Sequence, residues 1–198
     1  MKKMLLLAGL LVGMKYTYAQ VVRLNVGITS SSLKLQHLNL DGKHLVAPSI
    51  MAGVEYLHKK WFYLSSEIGY TAIGDRYDLI GGSDNRLVYW DFAQLNTTFR
   101  ARHVSSSGRT EFFAGAGAYV NILLNDNGHT MYKNADYDTR TFNTGIKTEA
   151  GIVRDINRFR VGLTGTYLLP LSSLATTPYA RMDYRAWSIS LGLGYKLH

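Results

Sequence analysis

Trp187-Ser188-Ile189-Ser190-Leu191-Gly192-Leu193-Gly194-Tyr195-Lys196-Leu197 alternates without a break between large apolar residues and small or polar ones. Successive side chains of a strand point to opposite faces, so this period of two describes a strand with one apolar and one polar face. The run is eleven residues long. A usual strand has about five or six, whereas a tilted strand needs roughly 9–11 to cross the hydrocarbon of a bilayer.

The pattern recurs seven times upstream. Val22, Leu24, Val26 and Ile28 alternate with Arg23, Asn25, Gly27 and Thr29; Ile50, Ala52, Val54 and Tyr56 with Met51, Gly53 and Glu55. Phe62, Leu64, Ile68 and Tyr70 alternate with Tyr63, Ser65, Glu67, Gly69 and Thr71; Ala93, Leu95, Thr97, Phe99 and Ala101 with Gln94, Asn96, Thr98, Arg100 and Arg102. Three more runs lie at 112–122, 142–152 and 158–169. Their connections alternate in length: long at about 30–47, 75–87, 125–140 and 171–183, short at His58-Lys59-Lys60, Ser105-Ser106-Ser107-Gly108 and Asp155-Ile156-Asn157. Outer-membrane barrels sort their loops in this way, short turns in the periplasm and long loops outside. The expected fold is therefore an all-β, eight-stranded antiparallel up-and-down transmembrane barrel. Tyr56, Trp61, Phe62, Tyr89, Trp90, Phe112, Tyr167, Tyr184 and Trp187 fall near strand ends and are expected in the interfacial aromatic girdles.

The first nineteen residues read as a cleaved export signal. Lys2 and Lys3 precede an apolar run from Met4 to Met14, and Thr17-Tyr18-Ala19 offers small residues at a cleavage site. The expected domains are a signal peptide at 1–19 and a barrel at 20–198. The apolar run is too short to span a bilayer as a helix. The absence of cysteine excludes a lipoprotein anchor, a disulfide framework and thiolate chemistry. The formal charge is +8; without Lys2, Lys3 and Lys15 of the leader, 19 basic residues stand against 14 acidic ones, a net +5. These charges are scattered, so lipid headgroups rather than nucleic acid are the expected partner.

The polar face carries charges of both signs: Glu55, Glu67, Glu149, Arg100, Arg102, Lys147, Arg158, Arg160 and Lys196. An eight-stranded barrel is just wide enough for side chains to fill it. Unpaired buried charge is costly. Glu55, Glu67, Arg100, Lys147, Glu149, Arg160 and Lys196 are therefore expected to form an interior charge network rather than line an open pore, and inward glycines to leave room for them. No catalytic residue, cofactor site or metal site is expected. His58, His103 and His198 fall at the periplasmic side, and His37, His44 and His129 in loops, with none beside a serine on a strand. Ala114-Gly115-Ala116-Gly117-Ala118 lacks the Lys-Ser/Thr ending of a phosphate loop.

The layout resembles the small porin-like outer-membrane β-barrel proteins of Bacteroidetes, the PorT-type proteins among them. The matching pieces are Ala19-Gln20, Val22–Ser31 with its central glycine, Tyr89–Arg100, Phe113–Leu124 and Ser188–Leu197. The resemblance implies an outer-membrane location and no defined catalytic residues. The expected function is that of a non-enzymatic, monomeric scaffold embedded in outer-membrane lipid, with its long outer loops open to a protein partner. An accessory barrel in secretion or envelope assembly is the alternative, and a lipid-modifying enzyme or a soluble lipocalin-like carrier stand behind it.

Overall fold

The computed structural model describes residues 20–35, 43–78, 85–127, 138–176 and 181–197. The leader, the sequence near His37 and His129, and His198 lie outside them. Eight long strands make the wall: β1 (Val21–Leu35), β2 (Lys43–Tyr56), β3 (Phe62–Asp78), β4 (Asn85–Val104), β5 (Thr110–Asp126), β7 (Phe142–Ile156), β8 (Phe159–Pro170) and β10 (Arg181–Lys196). Each pairs antiparallel with its neighbour along the chain, and β1 closes the cylinder on β10 from Val21↔Lys196 to Leu35↔Met182. Two short strands, β6 (Asp138–Thr139) and β9 (Ala175–Thr176), pair with each other beside the end of β10. The fold is an eight-stranded, antiparallel, up-and-down transmembrane β-barrel.

The seam between β1 and β10 shows why the apolar face points outward. Val22, Leu24, Val26 and Ile28 stand opposite Tyr195, Leu193, Leu191 and Ile189, and all eight are between 39% and 66% exposed. A soluble carrier would turn this face inward. The inward face holds Arg23, Asn25 and Thr29, all buried.

Two expectations need correction. The strands are 12–20 residues long, longer than the alternating runs of about eleven, and the connections at 30–47 and 75–87 shorten to match. β1 runs on to Leu35 and β2 starts at Lys43; β3 runs to Asp78 and β4 starts at Asn85. Above the bilayer a strand keeps its backbone ladder but loses its apolar outer face, so stretches such as Ser30-Ser31-Ser32 read as loop. His44, expected in a loop, consequently lies on β2. The second correction concerns Trp90 and Tyr184, which are 0% and 1% exposed and face inward. Tyr167 and Trp187 do face outward, at 38% and 45%, and so do Trp61 and Phe112.

The long-loop end is pinched. The pairing of β2 with β3 is interrupted between His44 and Ser49. There β1 reaches β3 directly: the Gly74 N–H donates to Ser31 Oγ at 2.9 Å, the Ser31 hydroxyl donates to the Gly74 carbonyl at 3.0 Å, and the Leu33 N–H donates to Asp75 Oδ2 at 3.2 Å.

Candidate functional site in the barrel interior

Alternation makes every second residue of every strand an interior residue, so the interior is a stack of layers set by the register. Nearest the short turns is an open mouth of about 690 Å³, lined by His58, Arg102, Asp155, Arg160 and Lys196 among others. Above it lies a layer of charge. Glu55 accepts from Arg23 Nη1 at 2.8 Å, Arg160 Nη1 at 2.6 Å and Arg100 Nη1 at 3.3 Å. Glu67 accepts from Lys147 Nζ at 2.6 Å and Arg100 Nη2 at 3.4 Å, and from the Asn25 amide at 2.8 Å. Glu149 pairs with Arg100 Nε, and its second oxygen lies 3.0 Å from Lys147 Nζ. Glu111 takes Arg160 Nη2 at 2.6 Å and Arg102 Nη1 at 3.1 Å.

Four buried carboxylates (Glu55, Glu67, Glu111 and Glu149) thus meet four buried cations (Arg23, Arg100, Lys147 and Arg160). The fully buried charges balance, four against four, and each has more than one opposite neighbour once the partly exposed Arg102 beside Glu111 is included. Arg100 is its centre: it is 0% exposed, and its guanidinium carbon lies 4.8 Å from the Phe113 ring centroid and 5.7 Å from that of Tyr63.

Of the seven interior charges expected, Glu55, Glu67, Arg100, Lys147, Glu149 and Arg160 lie in this layer. Lys196 stands at the mouth, partly exposed, on Asp155 Oδ2 at 2.6 Å. Arg158, assigned to the polar face, is in the turn before β8 and points to solvent. The alternation alone passed over Arg23 and Glu111 as network members. Arg23 shares the polar face of β1 with Asn25 and was open to the same reading. Glu111 precedes the apparent start of the fifth run at Phe112, but β5 begins at Thr110.

Inward glycines make the space that these side chains occupy. A Cβ at Gly192 would lie 2.4 Å from Asn25 Oδ1, and one at Gly53 would lie 2.7 Å from Glu67 Cγ. Above the charges comes a polar band with Thr29, Thr71, Gln94, Asn121 and Thr164, all buried. Two cavities lined by described residues inside the wall measure about 30 and 10 Å³, room for roughly a water or two. The top is apolar. Ile73, Trp90, Phe92, Leu168, Leu174, Met182 and Tyr184 form one buried cluster, and the Tyr119 and Tyr184 hydroxyls hydrogen-bond at 2.7 Å. Leu174, in the connection after β8, is folded in over the end and held by its N–H donating to the Met182 carbonyl at 2.8 Å. A solute would have to displace a charge layer and then an apolar plug.

His58 marks the mouth. Its ring stacks on Tyr63 at 4.7 Å, and its Nε2 lies 3.7 Å from Glu55 Oε2. Burial lowers its pKa from 6.5 to about 4, assisted by Arg160 and Arg102 and opposed by Glu55 and Asp155. The folded barrel therefore sheds a proton that the unfolded chain holds between those values. Stability contributed by the neutral ring is complete above about pH 6.5 and is lost as pH falls toward 4. A His58→Gln barrel should show a flatter stability profile across that window, measured by urea unfolding in micelles, and the wild-type ring should titrate near 4 by NMR.

No protein-family model matches the chain, and no curated protein sequence matches it. Solved structures do. The outer membrane protein OprG from Pseudomonas aeruginosa superposes with a TM-score of 0.57 at 12% identity, over 91% of this chain and 97% of that one. Neisserial surface protein A (NspA) superposes with a TM-score of 0.54 at 14% identity, over 89% of this chain and 96% of that one. At these identities the shared property is the fold: a small outer-membrane-type barrel matched over nearly its whole length.

Proposed function

We propose that the chain is a non-enzymatic barrel of the outer membrane, a monomer whose sealed interior makes it a scaffold and whose long-loop end meets other molecules. The observation that carries this reading is the pairing of an outward apolar wall with an inward face that is filled and charge-neutral. An apolar wall needs lipid. A neutral, filled lumen serves neither transport nor a reaction that requires a nucleophile beside a base. Residues 1–19 act in this reading as a leader cleaved before Gln20, leaving 20–198 as the barrel. The similarity of its strand pattern to the PorT-type barrels supports the family reading, and a place in secretion or envelope assembly is the second form the scaffold role takes.

Two measurements test the reading together. The mature protein should partition into detergent and run faster on gels before boiling than after. In planar bilayers it should show no steady small-solute conductance. A chain that stays soluble without detergent would overturn the membrane assignment, and a stable open channel would overturn the sealed interior.

A further inference from the structure

The outer wall is not uniformly covered. Strand glycines facing inward are crowded: a Cβ at Gly27, Gly69 or Gly117 would lie about 2 Å from a neighbouring backbone carbonyl oxygen. Gly165 faces outward, and a Cβ there would meet nothing nearer than the Ala150 carbonyl at 3.8 Å. Around this bare position lies a groove of about 620 Å³ whose floor is Ala114, Ala150 and Gly165 and whose wall is Tyr167, Trp187 and Ile189. The register runs this floor across the sheet, Ala114↔Ala150↔Gly165↔Ile189, with Trp187 opposite Tyr167 in the row toward the long loops.

Directly above that aromatic pair the outer face becomes cationic. Arg185 follows Trp187 on the same face of β10, roughly 7 Å further along the strand, and Arg181 follows Arg185. Arg181, Arg185 and Lys34 are all exposed. On β1, Lys34 stands opposite Asp183, between the two arginines. Among the described residues Asp183 is the one acid on this patch, so its three cations outnumber the acid by two. Arginine so close to the hydrocarbon extends its head to the polar interface and seeks an anion there. Arg181 and Arg185 are separated by about 13 Å of strand, which suits two phosphates on a sugar frame better than the single phosphate of a glycerophospholipid.

We propose that this wall binds a phosphorylated glycolipid of the outer leaflet, an acyl chain lying in the Gly165 groove and the headgroup phosphates resting on Arg185, Lys34 and Arg181. The proposal rests on the outer-membrane reading above.

Native mass spectrometry of the detergent-extracted mature barrel tests it. The barrel is offered equal amounts of bisphosphorylated lipid A, its dephosphorylated form and phosphatidylglycerol. The bisphosphorylated form should be retained about tenfold better than either competitor, the worth of a charge-assisted contact or two. Arg185→Gln and Lys34→Gln should each reduce that preference several-fold, and Gly165→Leu should reduce retention by filling the groove. Lys60→Gln, at the short-turn end, should change nothing. Equal retention of the dephosphorylated lipid, or a preference unmoved by both charge variants, overturns the proposal. Retention of phosphatidylglycerol at the level of lipid A overturns the glycolipid assignment, and a dimer abolished by Gly165→Leu would give the groove to a second copy instead. A barrel lacking heat-modifiable mobility would fail the outer-membrane reading itself, which keeps the two failures apart.

Discussion

Arg100→Met is expected to destabilise the barrel by about 3–5 kcal/mol, the cost of stripping one partner from a buried ion pair. Arg100 is fully buried and touches three carboxylates, Glu149, Glu55 and Glu67. Methionine keeps most of the stem volume between Phe113 and Tyr63, so the loss is mainly electrostatic. The layer would then carry four carboxylates against three cations. Glu149 would be left with Lys147 alone, which Glu67 already shares at 2.6 Å. Restoring neutrality should restore stability: Arg100→Met with Glu149→Gln should recover more than half of the loss, because a missing pair costs far less than a missing partner. Lys59→Met, an exposed substitution in the turn before β3, should stay within about 0.5 kcal/mol. Urea unfolding of the refolded barrel in vesicles, followed by tryptophan fluorescence, reads all three. If the single and double variants unfold at the same urea concentration, the network is not what holds the interior.

The sequence made the wall legible because a membrane barrel constrains both faces of each strand on one period. Lipid requires apolar residues outside, and a narrow lumen requires small or paired residues inside. That rule also extends further than the residue types suggest. Continuing the β4 alternation back from Gln94 places Phe92 and Trp90 inside, and continuing β10 back from Ser188 places Tyr184 inside. A tryptophan near a strand end suggests an interfacial girdle, but Trp90 and Tyr184 are buried at the long-loop end, where the lumen becomes apolar. Height above the membrane has no signature in a period of two. The partners in the charge layer were equally hidden. Arg160 meets Glu55 across 105 positions of sequence, and which acid meets which base depends on the stagger of the closed barrel, a property of all eight strands together.

Glycine is the residue whose role the sequence conceals most. Gly117 and Gly165 both sit inside strands, between small or polar neighbours, yet substitution should separate them sharply. Gly117 faces inward on β5, opposite Thr98 and Lys147. A Cβ there would lie 1.9 Å from the Thr97 carbonyl oxygen and 2.6 Å from Thr98 Cα. Both atoms are backbone of β4, so no side-chain rotation relieves the clash, and β4 would have to retreat by at least about 1 Å. β4 also carries Arg100, and moving the strand disturbs the guanidinium that three carboxylates share. Gly117→Ala should therefore cost about 3 kcal/mol, the upper range for an overpacked interior, and Gly117→Val should abolish the heat-modifiable folded band. Gly165→Ala adds the same atom to open space on the lipid face. It removes backbone freedom from the unfolded chain and should leave stability unchanged or raise it by about 0.5–1 kcal/mol. Unfolding midpoints for the two alanine variants decide the matter: an indifferent Gly117→Ala would mean that β4 and β5 are not held in this close approach, and with it the tight curvature that brings eight strands around a filled lumen would need another cause.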